Sequence, residues 1–145
     1  MENRIDIQKL EPSAFKAMFG LENYLENVKV SKKHLGIIKI RASQINGCAF
    51  CIDMHTSDAM KHGETSQRIF LLNAWKETKL FTEEEKVILA MTEEITLIHQ
   101  NGLSDNTYKQ AQKIFDDNQI AQIIMAVATI NAWNRIVISS KKTVQ

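Results

Sequence analysis

Lys39-Ile40-Arg41-Ala42-Ser43-Gln44-Ile45-Asn46-Gly47-Cys48-Ala49-Phe50-Cys51-Ile52-Asp53-Met54-His55 is the stretch from which both the fold and the chemistry of this chain are read. Asn46-Gly47 breaks one helix, and a second is expected to start near Cys48. Cys48 and Cys51 are the chain's two cysteines, and His55 follows the second by four residues. Positions i, i+3 and i+7 share a helix face, so two thiols and an imidazole converge without help from distant sequence. The positive end of the helix and a protonated histidine would both favour thiolate over thiol. The expectation is a reactive dithiol.

Three plainer readings stand beside it. Two thiols and a histidine could be part of a zinc site, but a closed site needs a fourth ligand, and His34, His62 and His99 are scattered singly. A stabilising disulfide is possible, although so short a loop yields little chain-entropy gain. Two inert cysteines packed as small hydrophobes are the third.

Outward from this segment the pattern is helical. In residues 83–98, Val87, Ile88, Met91, Ile95 and Ile98 form an apolar stripe, with Glu84, Lys86, Glu93 and Glu94 left to face water. Thr82 and Glu85 read as a capping box at its start. Residues 118–134 contain no charged side chain, yet are short and interrupted by amides, which predicts a buried helix rather than a bilayer span. Its nearly all-round apolar surface predicts contact with another subunit. Trp75 and Trp133 are expected to anchor packing. Pro12 and the glycines at 20, 47, 63 and 102 fall at expected breaks, Gly36 does not, and no run reads as a hairpin.

Composition fits one compact domain spanning residues 1–145, and the helical punctuation predicts that it is all-α. The 145 residues are 44% hydrophobic and 24% charged, enough chain to bury a core. A formal net charge of +1, with basic and acidic residues interleaved, makes no case for a nucleic-acid footprint. The first residues lack the basic start and apolar run of a signal peptide, so a cytoplasmic location with no membrane association is expected.

The quoted stretch closely resembles the core of the alkylhydroperoxidase AhpD and carboxymuconolactone decarboxylase superfamily. The likeness continues through Trp75-Lys76-Glu77, Phe81-Thr82-Glu83, Leu89-Ala90-Met91-Thr92-Glu93 and Ile130-Asn131-Ala132-Trp133-Asn134-Arg135, covering roughly residues 15–140. It implies an AhpD-like helical bundle assembled as a homo-oligomer, often a trimer or hexamer. The decarboxylases of the group generally lack the paired cysteines, so Cys48 and Cys51 favour the hydroperoxide-reducing branch.

By this resemblance Cys51 attacks the peroxide, His55 moves its proton, and Cys48 resolves the sulfenic acid as a disulfide. No bound cofactor or metal is implied. The partners are a hydroperoxide substrate and an external dithiol donor, lipoyl-bearing or thioredoxin-like. Thioredoxin-like motifs instead expose their first cysteine as nucleophile, an argument for Cys48. The family's usual glutamate, twelve residues before the first cysteine, is Gly36 here. That departure keeps a second reading open, a redox sensor or disulfide-exchange module, and raises Glu85 as a substitute acid. Arg41, Gln44 and Asn46 are expected to position helices, Arg135 to pair with an acid across an interface, and His34 to point away from the site.

Overall fold

A computed structural model describes residue 2 and residues 4–145. The chain runs α1 (Ile7–Leu10), α2 (Pro12–Leu25), α3 (Lys32–Asn46), α4 (Ala49–Lys61), α5 (Ser66–Phe70), a 3-10 turn (Leu72–Glu77), α6 (Glu83–Thr96), α7 (Asp105–Ile114) and α8 (Asp117–Ser139). No strand occurs among the described residues, and the all-α reading holds.

Each long helix has a local reason for its ends. Pro12 occupies the first turn of α2, where its missing N–H is no loss. Ser31 caps α3, accepting from the His34 amide, and Gly47 closes the same helix at φ 69°, a left-handed conformation that costs glycine least. Thr82 and Glu85 form the expected capping box on α6. Asp116 and Gln119 form a second on α8, which the sequence reading passed over.

The core lies where α3 packs against α4, α6 and α8, and α6 against α8. Ile38, Ile40, Ile88, Leu89, Met91 and Ile123 are wholly shielded from solvent there. Truncating any one to alanine would cost ~2–5 kcal/mol. Helix α8 is long and apolar enough by composition to cross a membrane, but it buries Ile120, Ile123, Val127, Ile130 and Asn134 against the bundle, as expected of a core helix. Met125 and, near the end of the helix, Ile138 remain exposed.

Three local readings are corrected. The helix after Thr82 stops at Thr96, so Ile98 falls beyond its stripe and is 60% exposed. Glu93 and Glu94 do not simply face water: Glu93 accepts from Arg41 and Trp75, and Glu94 from Ser104 and Thr107. Gly20 lies inside α2 and marks no break.

Candidate active site

Cys48 is the N-cap of α4 and Cys51 lies in its first turn, so the two sulfurs sit at the helix's positive end, and no side chain caps that end. They are joined as a disulfide, with Cα atoms 5.3 Å apart. Both cysteines are buried, at 1% and 2% exposure, so Cys48 is not the exposed sulfur that the thioredoxin comparison suggested.

His55 lies one turn beyond Cys51 on the same helix, half-buried. Burial and the nearby Lys39 cation outweigh Glu22 and Asp58 and push its pKa down to about 4. At neutral pH the imidazole is therefore uncharged. The sequence reading had a protonated histidine supporting the thiolate; here desolvation makes it a proton acceptor instead.

Cys51 and His55 open onto a cavity of about 600 Å³ between α2, α4 and α8, whereas Cys48 does not line it. Its wall is mostly apolar. Phe15 and Phe19 from α2 meet Trp133 from α8 at ring-centroid distances of 5.4 and 5.6 Å, and Phe50, Met54 and Val137 extend the surface. Lys142 Nζ lies 4.5 Å above the Phe50 ring. Trp133 thus both packs and lines the cavity, while Trp75 is buried and donates to Glu93 Oε1 at 2.8 Å.

Glu22 is the residue that sequence reasoning missed. It lines this cavity and also a second one of about 320 Å³, shared with His55, Gly36, Lys39 and Asp58. Its Oε1 accepts from Trp133 Nε1 at 3.0 Å, and its Oε2 pairs with Lys39 Nζ at 3.4 Å. One signal was available: Phe15, Phe19 and Glu22 fall at i, i+4 and i+7, a single face of α2.

Glu85 lines neither cavity that His55 reaches. It is committed elsewhere, to Arg68 Nη2 at 2.7 Å, to Lys33 Nζ at 3.7 Å and to the Thr82 amide at 2.9 Å. Burial alone would raise its pKa, but Arg68 and the Thr82 amide hold it below the usual value. It cannot stand in for an acid at position 36. His34 lies on that side of the molecule, facing Glu85 and Glu84, and burial lowers its pKa.

The remaining polar residues of the motif do structural work. Arg41 joins α3 to Glu93, and Asn46 donates to the side-chain oxygens of Asn131 and Asn134 at 2.9 Å. Arg135 donates to Asn131 within its own helix. Among the described residues no group of three or more His, Cys, Asp or Glu side chains is arranged to hold a metal.

This arrangement, a helix-borne dithiol inside a small α-bundle, agrees with comparisons to known proteins. The model of the carboxymuconolactone decarboxylase family matches residues 12–94. The uncharacterized protein YdfG of Bacillus subtilis (strain 168) is 42% identical over 139 residues, covering 96% of this chain and 95% of that protein. The chain belongs to the carboxymuconolactone decarboxylase family.

More locally, alkyl hydroperoxide reductase AhpD of Hyphomonas neptunium is 38% identical over 47 residues, 32% of this chain and 26% of that protein. A crystal structure of an Agrobacterium tumefaciens protein of unknown function, described as a candidate AhpD antioxidant defence protein, superposes with a TM-score of 0.95 at 36% identity over 99% of both chains.

Proposed function

We propose that this protein is a thiol peroxidase that reduces alkyl hydroperoxides through a Cys48/Cys51 dithiol–disulfide cycle. The observation that carries the reading is the bonded Cys48–Cys51 pair at the positive end of α4, with Cys51 and a neutral His55 on the wall of one apolar cavity.

The reduced form begins with both thiols free. His55 takes the Cys51 proton, and the thiolate attacks the terminal peroxide oxygen as the O–O bond breaks. The departing alkoxide receives the proton from His55 and leaves as the alcohol, with Cys51 as a sulfenic acid. Cys48 condenses with it, releasing water and restoring the disulfide. An external dithiol, lipoyl-bearing or thioredoxin-like, then supplies two electrons and two protons by thiol exchange. A reducing cytoplasm suits such a cycle.

The cavity favours a bulky organic peroxide over hydrogen peroxide, because Phe15, Phe19, Phe50 and Trp133 make most of its surface apolar. The exposed Met125 and Ile138 on α8 suit a homo-oligomer such as a trimer or hexamer.

A second reading, a redox sensor or disulfide-exchange module, is favoured by one observation: position 36 on α3, beside His55 in the second cavity, carries no acid. Steady-state consumption of cumene hydroperoxide with dihydrolipoamide separates the two. The peroxidase reading expects many turnovers in the wild type, a slower reaction with hydrogen peroxide, and no turnover in Cys51→Ser or Cys48→Ser. A single stoichiometric oxidation would overturn it and leave the sensor.

A further inference from the structure

A buried imidazole that must hold a proton briefly works best when a third group orients it and stabilises its charged form. The other charged groups around His55 are exposed, paired elsewhere or outside the second cavity. Asp58 on the same helix lies 3.6 Å from His62, and both are largely exposed. Glu64 is bound by Arg68 at 2.6 Å, and Glu85 by the same guanidinium. Glu26 lines the second cavity but is exposed. Arg4, Asp6 and Lys142 line the first cavity, away from the second.

Glu22 differs from all of these. With His55 it is one of only two residues on the wall of both described cavities. Its carboxylate is 30% exposed and fixed from two directions, by Trp133 on α8 and Lys39 on α3.

We propose that Glu22 is the positioning carboxylate of His55, an acid carried on α2 whose negative charge lets His55 hold the proton that Cys51 gives up. This rests on the peroxidase reading for its catalytic consequence, but the coupling itself is a property of the site. Glu22 raises the pKa of His55 while Lys39 lowers it, so the Glu22–Lys39 pair sets how readily the imidazole takes a proton. Gly36 lies on the same cavity, three residues before Lys39, and a Cβ there would meet only Ala59 Cβ, at 4.0 Å. The first side-chain atom at 36 therefore has room beside the cavity, which makes Gly36→Glu the rescue test of the proposal.

The test measures the rate of Cys51 alkylation by iodoacetamide against pH in reduced protein carrying Cys48→Ser. Glu22→Gln keeps an oxygen acceptor for Trp133 and removes only the charge. It is expected to slow alkylation at neutral pH about 10-fold or more and to move the profile to higher pH. His55→Gln is expected to do the same, with the double substitution little worse than either single one, because Glu22 acts through His55. Gly36→Glu added to Glu22→Gln is expected to restore most of the rate.

A wild-type profile in Glu22→Gln, or losses that multiply in the double variant, would overturn the proposal. Hydroperoxide turnover, measured separately, tests the peroxidase reading alone. Coupled alkylation without turnover would uphold the role of Glu22 and retire the peroxidase.

Discussion

Glu85 and Glu22 both meet cations, and they do opposite things. Glu85, at 2% side-chain exposure, is held by Arg68, Lys33 and its own capping box, and joins α6 to the segment around α5. Glu22 has one cation at 3.4 Å, one indole, and two cavities beside it. The first is a closed network whose value is structural, since it lines neither cavity that His55 reaches. The second is anchored yet accessible, the condition under which a carboxylate can tune a neighbour's protonation.

The largest expected effect is on the reactive side. Cys51→Ser lowers hydroperoxide turnover at least ~10³-fold, because among the described residues no other thiol lines the cavity that His55 reaches. Thermal unfolding checks that the fold survives. On the structural side, Arg68→Ala strands Glu64 and Glu85 as buried charges and lowers stability by ~3–5 kcal/mol, read by urea denaturation. Comparable destabilisation by Glu22→Gln would erase the contrast; less than ~1 kcal/mol is expected.

His55 supplies a pH test of intermediate size. Its pKa is about 4 in the folded protein against an ordinary 6.5 when unfolded. Above pH 6.5 neither state binds the proton; between the two values only the unfolded chain does, so stability falls as pH drops through that window. The loss reaches ~2–3 kcal/mol near pH 4 and is removed by His55→Gln, measured by denaturation at stepped pH. Glu85, whose folded pKa is depressed, loses its contribution at more acidic pH, which separates the two groups.

The smallest effect concerns Gly36. Gly36→Ala sits within α3, has room for its Cβ, and is expected to stabilise the protein by ~0.5–1 kcal/mol without altering turnover. A loss of stability would show that α3 and α4 need the glycine for close approach, and would weaken the rescue at that position.

What the sequence made legible was local. The break at Gly47, the Cys48–Cys51–His55 face, the Thr82–Glu85 box and the uncharged stretch of α8 are encoded within a few residues, so spacing and propensity suffice to find them. Glu22 is different. Its partners lie 17 and 111 positions away, at Lys39 and Trp133, and nothing local to α2 announces that the bundle brings them together. The uncharged state of His55 was missed for the same reason: burial in the folded bundle decides it, and a motif carries no record of burial. Ile98 failed because a helical stripe does not say where its helix ends.

Trapping the first oxidised sulfur with dimedone tests the central claim most directly. Reduced Cys48→Ser and Cys51→Ser proteins each receive one equivalent of cumene hydroperoxide, and the adduct is located by mass spectrometry. The account predicts an adduct on Cys51 in the first variant and little or none on Cys48 in the second. Adduct formation on Cys48 alone would contradict it, placing peroxide reduction at the wrong end of the dithiol and outside the cavity that His55 and Glu22 serve.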